Sequence, residues 1–372
     1  MLEEARHEVP PIGRGGSSLV SEQGSATGTR RASLLDLTVI VPAYNEAETL
    51  ADTVRSLKRQ TVSPDRILVV DDCSTDATAE VAESLGVAVL RPPENTGSKA
   101  GAQSFALDCV DTGLVMAVDA DTTLAPDAIE KLFAAFADPE VVAASGFVLP
   151  RRVRTIWERG RYVEYMLAFS FFKRIQDNYG KPLIASGCFS VYRTAELRAA
   201  GGWSTRTMAE DMDLTWTMYR AGHRIRFIPD AVCYPIEPHD MEFLGKQLKR
   251  WSHGFVQNVR LHWSSVLQLG YLRSLVAVAF WDALLASLAY LLLLPVLAVV
   301  LDPLVLLAYL VDAPVVVVPV LWQAIGRRET GRALASFPSF FVLRVVNALY
   351  MLSAVWREVV MRRPLLVYEK GH

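Results

Sequence analysis

The sequence predicts an α/β domain on a mostly parallel sheet, followed by C-terminal helices that cross or line a membrane. From Leu37 onward, short apolar runs alternate with stretches of helical period. Each early run ends in a polar cluster: Asn45-Glu46, Asp71-Asp72, Asp119-Ala120-Asp121. Three long apolar stretches close the chain.

Composition narrows the class. Of 372 residues 51% are hydrophobic, and the mean hydropathy of +0.23 is too high for a wholly soluble protein. The net charge of −2, from 38 basic and 40 acidic residues, gives no reason to expect nucleic acid. Cys73, Cys109, Cys188 and Cys233 lack Cys-x-x-Cys spacing, so neither a zinc site nor a disulfide framework is expected, and a reducing, cytosolic face fits. Residues 1–36 are rich in Gly, Ser, Arg and Glu, without a signal pattern, and read as a disordered tail.

Leu37-Thr38-Val39-Ile40-Val41-Pro42 is the first buried strand, and Leu50, Val54 and Leu57 mark a helix after it. Ile67 to Val70 is the second strand, with Val81 and Leu85 on the following helix. The third, 87–90, precedes Asn95-Thr96-Gly97-Ser98-Lys99, which opens a further helix. The fourth, Val115 to Val118, delivers Asp119 and Asp121 to a sheet edge. Ligands of such sheets sit beyond the carboxyl ends of the strands. Carboxylates suit Mg²⁺ or Mn²⁺, which keeps waters and takes other ligands from phosphates. A strand-end Asp-x-Asp thus proposes a metal–diphosphate site; the bland alternative is turn and helix-cap chemistry, since Ala125-Pro126-Asp127 begins a helix.

Residues 151–178 mix Arg and Lys with Trp157, Tyr162, Tyr165, Phe169, Phe171 and Phe172, which suits either a helix in the membrane interface or an amphipathic helix packed on the sheet. Ile184 to Phe189 reads as a short strand and turn, and Glu210-Asp211-Met212-Asp213 as an acidic helix start. Gln247-Leu248-Lys249-Arg250-Trp251 combines an amide, a guanidinium that can clamp a diphosphate and an indole for stacking a sugar. His223, His239, His253 and His262 form no ligand cluster and are assigned no role.

These residues resemble the inverting, nucleotide-sugar-dependent glycosyltransferases of family 2, which have the GT-A fold. Val41 to Glu46 is similar to the family's opening loop, and Asp71-Asp72-Cys73-Ser74 to its uridine-binding segment, with Cys73 where Gly or Asn is usual. Asp119-Ala120-Asp121 is similar to its metal motif, Ala209-Glu210-Asp211 to its Thr-Glu-Asp segment, and 247–251 to the Gln-x-x-Arg-Trp motif of its membrane branch. The resemblance implies that Pro42, Ala43, Tyr44, Glu46, Asp71, Asp72, Lys99, Asp119, Gln247 and Arg250 bind the donor. It implies Asp119 and Asp121 as metal ligands, Asp211 as the base, and Ser186, Gly187, Glu210 and Trp251 on the acceptor side. Within the family, the chain looks most like synthases of poly-N-acetylglucosamine, chitin oligomers and hyaluronan. That implies a UDP-sugar donor, UDP-N-acetylglucosamine foremost, inversion, and a β-linked product. The synthases' N-terminal membrane helices have no counterpart in this reading. Rival readings are transfer of a single sugar to a lipid or protein acceptor, and a catalytically silent nucleotide-sugar sensor.

Expected partners are therefore the UDP-sugar, a glycan, lipid or protein acceptor, and the bilayer, with homo-oligomerisation left open. The expected divisions are a tail (1–36), the transferase domain (37–262) and a membrane region (263–372). The apolar stretches 275–301, 303–322 and 337–355 are each long enough to cross. Asp282, Arg344 and Asn347 within them should face protein, water or glycan. With a cytoplasmic catalytic domain in a multi-pass cell-membrane protein, Arg327, Arg328 and Arg332 fall inside. A third full crossing would put Arg357, Arg362 and Arg363 outside, against the positive-inside rule, so that segment reads as re-entrant or interfacial and the number of crossings stays at two to three.

Overall fold

The computed structural model describes residues 36–311 and 313–367; the expected tail, Asp36 apart, lies outside the described residues. Strands β1 (Leu37–Ala43), β2 (Arg66–Asp71), β3 (Ala88–Leu90) and β4 (Leu114–Val118) pair in parallel in the order β3-β2-β1-β4. Helices α1 (Leu50–Lys58), α2 (Thr78–Ser84) and α3 (Lys99–Leu107) form the crossovers. Alternate side chains of β1 enter different cores: Val39 and Val41 join Met116 and Val118 on one face, while Ile40 joins Leu68, Val70 and Ala117 on the other. Burial on both faces is why these strands read as unbroken apolar runs.

Beyond β4 the chain adds β5 (Thr123–Leu124), α4 (Ala128–Phe133), β6 (Val141–Val148), α5 (Ile156–Leu167), α6 (Lys173–Asn178), β7 (Phe189–Arg193), α7 (Thr194–Ala199), α8 (Glu210–Arg220), β8 (Arg224–Tyr234) and α9 (Met241–Leu261). The sheet continues β4-β7-β6-β8-β5, with β7 antiparallel to both neighbours. Two sequence expectations change here. Ile184–Cys188 is loop, with the strand beginning only at Phe189. Strands β6 and β8 appear where the sequence reading placed none. β6 is built for close approach: a Cβ on Gly146 would lie 2.0 Å from the Phe189 ring.

α10 (Trp263–Gln268), α11 (Gly270–Phe280), α12 (Leu294–Val300), α13 (Ala313–Gly326) and α14 (Thr330–Val355) complete the described helices, joined in places by short π and 3₁₀ turns. Three stretches are long and apolar enough to cross a membrane: Gly270–Val300, Pro303–Gly326 and Thr330–Val360. Large apolar side chains stay uncovered on the first two, such as Val299, Val311 and Trp322. The third differs. Leu343 of α14 packs with Leu244 and Leu248 of α9, a Cβ on Gly160 of α5 would meet Leu343 at 2.9 Å, and one on Gly245 of α9 would meet the Tyr350 hydroxyl at 2.5 Å. Both ends of this stretch are tied down. Tyr162 donates to Glu329 just before it (2.9 Å), and Glu358 near its end accepts from Gln257 (2.8 Å) and contacts His253 Nδ1 (2.7 Å).

Polar groups in the apolar stretches find protein partners, as expected: Arg344 donates to Asp282 (3.4 Å) and Asn347 to Glu164 of α5 (2.8 Å).

Candidate active site

A cavity of about 890 Å³ opens at the carboxyl ends of β1 and β4 and runs under α8 and α9. Its first end is built by two cross-braced loops. Asn45 N–H donates to Ser74 Oγ (2.9 Å), Glu46 N–H to Thr78 Oγ1 (2.7 Å) and Thr75 N–H to Asn45 Oδ1 (2.8 Å). Asn45 and Cys73 hold φ of 54° and 60°, the left-handed region that Gly and Asn enter most readily, which explains why the resemblance expects one of these at position 73. Pro42, Ala43, Tyr44, Glu46 and Asp72 line this end. Asp72 accepts from Thr96 N–H (2.8 Å) and Thr96 Oγ1 (2.9 Å), fixing the loop that starts α3. Asp71 departs from its expected donor contact. It is fully buried, takes Ser74 N–H (3.0 Å) and the Arg91 guanidinium, and is not on the cavity wall.

At the centre, Lys99 pairs with Asp119, donates to Gly187 O (3.0 Å) and lies 3.8 Å from Glu210. Asp211 Oδ2 accepts from Gly187 N–H (2.8 Å) and Oδ1 from Met212 N–H (2.9 Å). A Cβ on Gly187 would meet Asp211 Oδ2 at 3.0 Å and Lys99 Nζ at 3.2 Å, so glycine is what lets base candidate and ammonium converge. Burial pushes the Glu210 carboxyl up, and Asp211 adds to this, while Lys99 opposes it. Asp119, Asp121 and Ser186 also line the cavity.

The donor chemistry fits a hard divalent ion. Two carboxylates from one turn face the cavity, and Asp119 already attracts a cation, the Lys99 ammonium. Among the described residues no group of three or more His, Cys, Asp or Glu forms a metal cluster. An ion held by Asp119 and Asp121 would thus take its other ligands from diphosphate and water.

The far end holds Gln247, Arg250 and Trp251, and with them residues the sequence reading did not single out as site residues: Glu164, Tyr165, Lys173 and Glu237. Tyr165 donates to Glu237 (2.8 Å) and Lys173 to Ser186 Oγ (2.7 Å). Burial pushes Glu237 up to about 7, against the pull of Arg161, and Lys173 down to about 8. For Glu164, Tyr165 and Lys173 the sequence signal is their place in the charged, aromatic-rich stretch 151–178, and Glu237 carries none. Two of the unassigned histidines prove to be braces: His253 Nδ1 lies 2.7 Å from Glu358, and His262 Nε2 lies 2.6 Å from Asp213 Oδ1, the carboxylate that Arg206 also holds at 2.7 Å. Burial favours the neutral form of Asp213, yet these partners outweigh it and keep its pKa below the usual range.

Residues 38–199 match the family model described as Glycosyl transferase family 2. A poly-beta-1,6-N-acetyl-D-glucosamine synthase of Staphylococcus aureus (strain COL) is 29% identical over 223 residues, 59% of this chain and 54% of that protein. Its counterpart in Staphylococcus epidermidis is 27% identical over the same shares. The chain spans about half the length of the curated relatives it matches. Among solved structures, mannosyltransferase PcManGT from Pyrobaculum calidifontis, in complex with GDP-Man and Mn²⁺, has a TM-score of 0.57 at 20% identity, covering 88% of both chains. That likeness is one of fold, and the fold is GT-A.

Proposed function

We infer, from a chain whose residues 38–199 form a glycosyl transferase family 2 domain, that the protein is a membrane hexosyltransferase that moves a sugar from a UDP-sugar to an acceptor hydroxyl with inversion. UDP-N-acetylglucosamine is the donor this reading favours, since the curated relatives are named as synthases of its polymer, and a β-linked glycan is the product. The observation that carries the reading is the meeting, in one cavity, of Asp119 and Asp121, the Asp211 carboxylate, and the Arg250-Trp251 pair. Inversion by single displacement needs one base and no protein nucleophile, and Asp211 has the position for it. From the first turn of α8, with both oxygens oriented by backbone N–H groups, it takes the acceptor proton. Asp72 and the loop at Tyr44 hold the nucleoside, Arg250 and Gln247 grip the diphosphate, and Trp251 stacks the acceptor. Mg²⁺ or Mn²⁺ bound at Asp119 and Asp121 supplies charge neutralisation for the departing diphosphate.

A panel of UDP-sugars assayed for UDP release in nanodiscs, with mass analysis of product, tests this. Release should be fastest from UDP-N-acetylglucosamine, and product length separates a polymer from a single transfer. Protein that releases UDP from none of the donors overturns the reading.

For topology, we propose that Gly270–Val300 and Pro303–Gly326 cross as a hairpin while α14 lies in the interface on the domain's side. Support comes from the loop after α13, where Arg327 stacks over Phe147 at 4.5 Å, and from the ties at both ends of α14. Such an α14 keeps Arg357, Arg362 and Arg363 on the cytoplasmic side, with the domain and the Arg327–Arg332 loop. The full chain should stay in the membrane fraction after carbonate washing, with a C-terminal tag accessible from the cytoplasm. Solubility would refute insertion, and a tag reached only from outside would refute an interfacial α14.

A further inference from the structure

We propose that Arg161 is a positioning residue that sets the orientation of Gln247 from beneath the cavity. Its side chain is 1% exposed and is not on the cavity wall, so its influence on substrate passes through its neighbours. It stands on α5, whose start is fixed by a capping box between Thr155 and Glu158. From there the guanidinium donates to Gln247 Oε1 and to Glu164, lies 3.4 Å from Glu237, and covers one side of the Trp251 ring at 4.4 Å. α14 steadies the arrangement through Asn347, which holds Glu164 at 2.8 Å.

The chemistry gives this contact a direction. A guanidinium has donors only, so the amide oxygen of Gln247 must face Arg161, and its NH₂ is left for Glu237 and the cavity. Gln247 therefore meets a substrate as a donor, which suits a diphosphate or sugar oxygen. Without Arg161 the amide can turn over and present an oxygen where a donor is needed. Arginine is required because one planar fork reaches Gln247, Glu164 and the Trp251 face together, which an ammonium cannot.

The inference rests on the proposed transferase reading, and its test is a double-mutant cycle on UDP release. Arg161→Lys keeps a positive charge beside Glu164 and Glu237, so the fold has its counter-ion, but it loses the fork. It should lower kcat/KM by about 10- to 100-fold, the range of a charged hydrogen bond. The loss should come with a raised donor KM, copying Gln247→Ala. In a Gln247→Ala background the same substitution should change kcat/KM by no more than about twofold. Arg161→Met, isosteric in its stem, should follow the same pattern. Equal losses from Arg161→Lys in both backgrounds would show a general structural role and overturn the proposal while leaving the transferase reading intact. Wild-type protein without UDP release overturns both.

Discussion

Asp211→Asn should reduce turnover by about 10²–10⁴-fold, the usual contribution of a general base, with UDP affinity nearly unchanged. Asn keeps the size of the side chain and one carbonyl oxygen, so Gly187 N–H retains an acceptor where Asp211 Oδ2 now takes it at 2.8 Å. What is lost is the capacity to take a proton. The proposed nucleotide contacts, Asp72, the Tyr44 loop and the metal acids, do not depend on that capacity, so binding and chemistry should separate. Isothermal titration with UDP and a steady-state rate decide the matter. Retention of more than about a tenth of wild-type turnover would leave Asp211 a helix-start residue. The base would then be Glu210, because the other nearby acid, Asp213, is spoken for by His262 and Arg206.

Removal of the divalent ion should be as severe. Chelation with EDTA is expected to abolish UDP release, and Mn²⁺ or Mg²⁺ to restore it; Asp121→Ala should lose on the order of 10²–10³-fold even with metal present. Charge stabilisation by a bound ion is worth several kcal/mol in a transition state of this kind, and the described residues offer no cluster of carboxylates to replace a lost ligand. Asn at either position should also be damaging, since it removes charge facing the ion. At Asp119 there is a second cost. Lys99 pairs with that carboxylate, and Asp119→Asn would leave the ammonium beside Gly187 and Glu210 with less to hold it. Full activity of Asp121→Ala in metal-free buffer would refute the metal reading.

Much of the fold could be read in the sequence because burial on both faces leaves an unbroken apolar run, as in β1, β2 and β4, and because each run ended in its functional cluster. β6 and β8 escaped for the opposite reason. Val141-Val142-Ala143-Ala144-Ser145-Gly146 is diluted by small residues, of which Gly146 is demanded by close packing against Phe189. Arg224-Ile225-Arg226-Phe227 carries charges whose partners, Asp138 and Asp177, are distant in sequence. The candidate site divides similarly. The acids at strand ends were legible as types in places, but not their facing: nothing in Asp71-Asp72 says that the first turns to Arg91 and only the second to the cavity. Arg161 and Glu237 were invisible as site residues. A buried charge is tolerable only beside its partner, and the partners here lie on three separate elements.

The bracing of the loops at Asn45 and Ser74 has a consequence for how a base is chosen. Amides of Asn45, Glu46, Ala47 and Thr75 donate across from one loop to the other, and those of Ser74 and Thr78 donate to Asp71 and Asp76 within their own, so the two loops brace each other. Hydrogen exchange at the four cross-loop amides should then report a joint opening of both loops, and the proposed nucleoside end stands formed without a ligand. Discrimination between nucleobases then becomes a matter of fit to a rigid rim, and little of the binding free energy is spent on ordering the chain.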